Sequence, residues 1–379
     1  MLRLVFRTIL PAAAIALAGC QSIGPPSIHR DRLDYAGAIA DSWKQQTLLN
    51  IIRLRYFDTP TFLDVASVIS SYQLQGEVRA GAEFFPGASL DNSRTLGIAG
   101  SYSDRPTISY SPLSGEKFVN SLLRPIPPQA VFAMIVAGHR ADFIFQSAVR
   151  AINDVYNYSG SPARARREDA EFGEVISALR RVQQAGALGM RVERRILRRD
   201  PDARDRRDEA GRGRGGDADY DEAWIFFRER VDAATARDIA LLKQALGLSG
   251  EAREFRLVFG SLRQRDSEVA LLTRSIMEIM VELSDGVQVP PDHVAEGRVR
   301  PSADVELKGP RQNAPAVAIR SGSEAPADAY VAARYRGRAF WIEDRDLPSK
   351  RMFTFLRMFS SIAETGIAPQ IPVLTIPAN

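Results

Sequence analysis

The chain has 379 residues, 45% hydrophobic and 25% charged: enough apolar material for one large or two medium domains, and too mixed for a fibrous or wholly disordered protein. A single cysteine excludes an intramolecular disulfide framework, and three well-separated histidines, His29, His139 and His293, argue against a zinc site. Fifty basic residues against 46 acidic ones leave +4, and only Lys44, Lys117, Lys243, Lys308 and Lys350 of the fifty are lysine; with acids interspersed throughout, this reads as compositional bias toward arginine rather than a phosphate-binding surface.

The amino terminus carries Arg3 and Arg7 ahead of an apolar run, Thr8 to Ala18. That run of about a dozen residues falls short of the ~20 a spanning helix needs, and has the layout of a secretory signal. Its end, Leu17-Ala18-Gly19-Cys20, resembles the lipobox of bacterial lipoprotein precursors. The resemblance covers only these residues, and the folded body resembles no characterised family. It implies thioether lipidation of Cys20, cleavage before it and acylation of the new amino terminus. A cysteine suits that role because its thiolate is the nucleophile lipid transfer requires, and several acyl chains give stable anchoring at ~0.8 kcal/mol per buried CH₂. The next residue is Gln21 rather than an inner-membrane-retaining Asp, which points to the periplasmic face of the outer membrane. Removing residues 1–19 takes away Arg3 and Arg7 and no acid, so the charge falls from +4 to +2. Weak charge and an envelope compartment exclude nucleic acid as a partner.

Residues 20–33 then form the lipidated cysteine and a tether containing Gly24, Pro25 and Pro26. A helix follows Asp34, with Ala36, Ile39, Ala40, Trp43, Thr47, Ile51 and Leu54 on one face. After Asp58-Thr59-Pro60 a second helix is predicted, its stripe Phe62, Val65, Ala66, Ile69 and Tyr72; both stripes read as core. From Arg94 to Tyr110 the period changes to two, with Leu96, Ile98, Gly100 and Tyr102 alternating, and Asp104-Arg105-Pro106 is predicted as the turn of a β-hairpin. Such alternation with Gly and Tyr also occurs in outer-membrane strands, but one hairpin closes a barrel only if several subunits share it. Helices are predicted over 115–124 and 128–157, broken by Pro125, Pro127 and Pro128, with 130–137 a buried core helix. Another covers 169–188.

Residues 198–219 hold no large apolar side chain and read as a disordered charged insertion. The flanks, Met190 to Ile196 and Trp224 to Phe227, can pair as strands around it. Helix 233–246, strand 254–259 and a helix with the stripe Val269, Leu272, Ile276, Ile279, Met280 and Leu283 follow. A Pro-rich connection, 288–315, leads to strands at 316–320, 329–335 and 338–343, a last helix over 347–364 and a terminal strand ending near Ile376. The fold class is α+β: a helix-rich region 34–189 with one β-hairpin, and a region 190–379 with a mixed sheet packed against helices.

Motifs for chemistry are few. Gly211 to Gly216 spell GxGxxG, but lie in charged low-complexity sequence instead of a strand-to-helix turn, so no cofactor is expected. Asp217, Asp219 and Asp221 start a calcium loop that lacks its glycine and its terminal glutamate, so no metal site is expected. Ser114-Gly115-Glu116-Lys117 gives S-x-x-K, the spacing that sets nucleophile and lysine one turn apart in penicillin-binding proteins; Ser284-Asp285-Gly286 and Arg320-Ser321-Gly322 are degraded versions of their other motifs. The bland reading has Ser114 capping a helix. Residues 334–346 combine Trp341 with Glu343, Asp344 and Asp346, as a sugar-binding or glycosidase site does; a turn at Arg336-Gly337 and a helix cap by Asp344 or Asp346 account for more of them. The reading that results is a lipid-anchored envelope protein held to the membrane by acyl chains on Cys20, acting as a non-enzymatic interaction or assembly factor with an envelope protein or peptidoglycan as partner. The alternative is a serine acyl-enzyme working on peptidoglycan through Ser114 and Lys117.

Overall fold

The computed structural model describes residues 27–69, 72–83, 93–157, 169–196, 219–301 and 317–364. Cys20 with its lipobox, the GxGxxG segment and the expected terminal strand lie outside them. The protein is α+β, with antiparallel and mixed sheets and helices throughout. Its contacts divide it into two compact units: the first takes the described residues up to Thr47 and Thr61–Leu113, the second Leu48–Pro60 and everything from Ser114. Helix α1, Ser27–Arg55, supplies residues to both. It ends where Phe57 turns left-handed, φ 57°, with Arg53 and Arg55 in its last turn opposite the negative end of its dipole.

In the first unit the chain forms one long β-ribbon. Strand β1, Leu63–Ile69, pairs antiparallel with β4, Thr107–Pro112, and β2, Tyr72–Glu83, with β3, Ser93–Asp104. The register runs on across the joint, from Ile69↔Thr107 to Tyr72↔Asp104, after a single slip between Val65 and Ser67. Two expectations fail here. The stripe from Phe62 to Tyr72 is no helix, because the β-branched residues Val65, Val68 and Ile69 suit the extended backbone that cross-strand pairing stabilises. Asp104-Arg105-Pro106 is no hairpin turn either: both flanking strands continue in one direction, and Pro106, which lacks an N–H, marks the joint.

Burial sets this unit apart. Among its residues with described side chains, Thr47 alone is buried. The helical stripe expected to be core is uncovered in its first half, with Ala36, Ile39 and Ala40 exposed and Trp43 half-buried, and is buried only at Thr47 and Ile51. On the ribbon, Leu63, Ile69, Ile108 and Tyr110 are all exposed.

The second unit holds the core. Its six-stranded sheet has the order β6-β5-β10-β9-β8-β7, formed by β5 Val149–Ile152, β6 Val155–Tyr156, β7 Leu188–Ile196, β8 Asp219–Phe227, β9 Glu254–Phe259 and β10 Glu268–Thr273. Only β9 and β10 run parallel; the other neighbours are antiparallel. Strands β7 and β8 flank the charged insertion as the sequence predicts. The helices are α2 Gly115–Phe118 with a π-turn Val119–Leu123, α3 Pro128–Val136, α4 Ala141–Ala148, α5 Ala170–Gln184, α6 Ala233–Ala245, α7 Ile276–Ser284 and α8 Pro291–Ala295. Helix α3 packs on the sheet through Val131, Phe132, Met134 and Ile135, all buried.

Two helix predictions overrun strands. Helix 128–157 is broken by Gly138 at φ 104° and ends at Ala148, after which Asn153 and Asp154, both with positive φ, turn β5 into β6. The stripe beginning at Val269 is a central strand up to Thr273, and the helix starts only after Ser275, whose hydroxyl and Glu278 form a reciprocal capping box.

A three-stranded antiparallel sheet, β11-β13-β12, follows, from β11 Arg320–Gly322, β12 Val331–Tyr335 and β13 Arg338–Ile342, and α9, Leu347–Glu364, closes the described chain. Met352, Phe353, Phe355, Leu356 and Phe359 of α9 are buried, with Phe355 set edge-on to Phe143 of α4 at 5.2 Å between ring centres. This helix is core and offers no free apolar face along those residues.

Candidate functional site

Ser114 sits at the N-cap position of α2, with Lys117 on the single turn that follows, and both are exposed. Ser114 makes no side-chain cap bond, so even the bland reading of it as a helix cap is unmet. Ser284 is buried and its hydroxyl donates to the Val281 carbonyl, 2.7 Å, as a helical serine does. Arg320-Ser321-Gly322 forms β11, on the edge of the small sheet. Three motifs that must share a solvent-accessible cleft in a serine acyl-enzyme thus differ in exposure, and the middle serine has its proton committed.

The residues 334–346 assemble as structure. Arg336 and Gly337, φ 47° and 79°, make the tight turn between β12 and β13, and Phe340 and Ile342 point into the core. Asp346 caps α9 by accepting from the Ser349 amide and hydroxyl, 3.2 and 2.5 Å, while Asp344 accepts from Lys350, 2.6 Å, and Glu343 pairs with Arg320, 3.4 Å. All three carboxylates beside Trp341 are already engaged.

The densest polar cluster was not visible as a motif. Tyr56, just beyond α1, shares a 2.7 Å hydrogen bond with His293 Nδ1 in α8, both residues being under 5% exposed. Arg336 stands 5.5 Å over the Tyr56 ring and donates to Asp58, 2.8 Å, which also accepts from the Tyr335 hydroxyl. Arg338 donates to Asp292, 2.6 Å. Burial raises the Tyr56 phenol above its ordinary value, Arg336 opposing it, so the phenol holds its proton. A phenol–imidazole pair this deep is closed to a substrate. It ties three segments distant in sequence, 56–58, 291–295 and 335–338, into one knot. A signal for it existed only in the spacing-free set of Tyr, His and Asp residues, which no local pattern connects.

Beside the knot, Asp285 ends α7, where a negative charge meets the negative end of the helix dipole. Burial pushes its carboxyl up to about 6 against the attraction of Arg55, with Glu282 adding to the rise. Folded Asp285 therefore binds its proton more tightly than the unfolded side chain, ordinarily at 3.8; its stabilising contribution is complete below pH 3.8 and is lost as pH rises through 6. Asp285→Asn should stabilise the protein at pH 8 by about 1 kcal/mol, a figure reduced because solvent screens a half-buried group, and should flatten the pH dependence between 3.8 and 6. Urea denaturation at pH 4, 6 and 8 checks both.

No three His, Cys, Asp or Glu residues among those described are placed to hold a metal ion, and no helix among them is long and apolar enough to cross a membrane. Asp217 of the calcium-like triplet lies outside the described residues, whereas Asp219 and Asp221 fall within strand β8. The remaining candidate is a surface, the uncovered face of α1 with the β1–β4 ribbon. The chain matches no family model, no curated protein and no solved structure.

Proposed function

We propose that this is a lipid-anchored envelope protein, on the periplasmic face of the outer membrane, which works by binding and assembling other components rather than by catalysis. The observation that carries the binding half is the first unit, where Thr47 alone is buried among the residues with described side chains. Two-stranded ribbons are marginal on their own, and ordering each residue costs about 1–2 kcal/mol of backbone entropy. A unit whose described side chains are so little buried acquires its remaining contacts from a partner. The lipobox ending at Cys20, a few residues before α1, supports the anchoring half.

Metabolic labelling with a fatty-acid analogue tests the anchor. Label should enter the wild-type protein and be lost in Cys20→Ala, which should also leave the membrane fraction. Label retained by the alanine variant would overturn the anchor. Crosslinking in intact membranes tests the binding role, which expects a reproducible adduct through the first unit.

A further inference from the structure

The paired register of β2 and β3 sorts their residues onto two faces with opposite character. On one face Leu74 stands opposite Tyr102, Gly76 opposite Gly100, Val78 opposite Ile98 and Ala80 opposite Leu96. The charges on that face come at its two ends, Asp104 opposite Tyr72 and Arg94 opposite Ala82. The other face sets Gln73, Gln75, Glu77 and Arg79 against Ser103, Ser101, Ala99 and Gly97. Chance alternation seldom keeps one face free of charge through its whole middle on both strands at once. The apolar face continues across the joint to the pair Val68↔Ile108.

The length is that of a membrane strand. Each of β2 and β3 has 12 residues. At ~3.4 Å per residue and a tilt of about 45°, such a strand rises roughly 29 Å, enough to span the ~25 Å apolar band of an outer-membrane barrel. A two-stranded ribbon cannot enter hydrocarbon alone, however: the outer edges of β2 and β3 carry backbone N–H and C=O groups with no strand beyond them in the described chain. Only closure removes those edges, and a ring of antiparallel hairpins closes by pairing the free edge of β3 in one copy with the free edge of β2 in the next.

We propose that the ribbon of β2 and β3 is a membrane-inserting hairpin, and that copies of this chain each contribute one to a shared transmembrane β-barrel. The Leu74, Val78, Ile98 and Leu96 face meets the acyl chains, and the Gln75, Glu77 and Arg79 face lines the lumen. Because membrane barrels begin at about eight strands, at least four copies take part. The inference deepens the envelope reading and rests on its compartment. It names the partner as the chain itself and turns the assembly role into formation of an aqueous passage.

The experiment uses the full-length lipidated protein, extracted in detergent, sized by native mass spectrometry and reconstituted into planar phospholipid bilayers. Rings of four or more copies with stepwise ion conductance are expected. Two neighbouring substitutions then separate the faces. Ile98→Arg should lower conducting events at least about tenfold and leave monomers, whereas Ala99→Arg, opposite Glu77 on the lumen face, should keep the rings and shift ion selectivity toward anions. An unchanged thermal transition of the second unit in both variants shows that each remains folded. A wild-type protein that is monomeric and non-conducting, yet carries the fatty-acid label, would overturn the barrel and spare the anchor. A wild-type protein that forms conducting rings yet takes up no fatty-acid label would do the reverse, overturning the anchor and sparing the barrel. Neighbouring strands supplied by a different protein, or equal behaviour of the two arginine variants, would also overturn the proposal.

Discussion

Replacing Arg274 with alanine is expected to destabilise the second unit by about 3 kcal/mol, among the largest losses of any single substitution in this chain. Arg274 is 4% exposed and follows directly on strand β10. Its guanidinium donates to the carbonyls of Gln146 and Ser147, 2.8 and 3.0 Å, and its amide to that of Ala148, 2.7 Å. These are carbonyls at the C-terminal end of α4, which lack intrahelical donors and lie at the negative end of the helix dipole. Desolvation lowers the Arg274 pKa, an effect opposed by Glu282 and Glu278, and the guanidinium stays charged. Alanine leaves the buried Ser147 carbonyl without its donor, leaves Gln146 with the Asn157 side-chain amide alone, 3.0 Å, and opens a cavity. Arg274→Met separates the contributions: it restores most of the volume, so it should recover about 1 kcal/mol and no more. Urea denaturation followed by Trp224 and Trp341 fluorescence measures both, and a loss below about 1 kcal/mol for alanine would remove Arg274 as the anchor of this helix end.

How much of this could be read beforehand depended on whether a segment's own residues decide its state. Helix α9 matches its expected span, 347–364, and strand β9 its expected 254–259, because each combines strong periodicity with clear stops. Residues 268–284 misled: Val269, Leu272, Ile276 and Ile279 keep helical spacing, but the first two stand in a central strand buried on both faces, where a short apolar run has no diagnostic period. The ribbon was half legible. Its return strand showed alternation from Leu96 to Tyr102, yet the pairing partner lies upstream, in a stretch whose first residues also fit a helix. The β-branched Val65, Val68 and Ile69 within that stretch were the local sign against it. The register that sorts polar from apolar residues is a long-range fact, and so is the knot of Tyr56, His293 and Asp58. Residue types suggest neither. Ser114 and Lys117 taught the opposite lesson, since a tetrapeptide match carried no information about the depth of the Ser284 hydroxyl.

Asn153→Ala should cost about 3–4 kcal/mol, because one residue there meets three demands at once. It occupies the left-handed region, φ 45°, at the first position of the turn between β5 and β6, with Asp154 at φ 69° behind it. Asparagine tolerates that conformation far better than alanine does. Its side-chain amide, buried with the residue at 3% exposure, donates to the carbonyls of Leu246, 2.9 Å, and Glu268, 3.2 Å. Its side-chain oxygen accepts from the Ala270 amide, 2.7 Å. Leu246 is the C-cap of α6 and Ala270 the middle of β10, so this one side chain pins a helix end and a central strand to the turn. Alanine loses the three bonds and strains the backbone. Glycine loses the bonds but not the conformation, and should recover about 1 kcal/mol of the loss. Asp154→Gly, by contrast, removes no side-chain bond of the kind Asn153 makes and relieves a non-glycine residue of its positive φ, so it should be neutral or slightly stabilising. The three variants form a series with a defined order of unfolding midpoints: wild type and Asp154→Gly highest, Asn153→Gly below them, Asn153→Ala lowest. If the two Asn153 variants unfold together, the turn conformation contributes nothing separable, and the whole loss belongs to the side-chain hydrogen bonds.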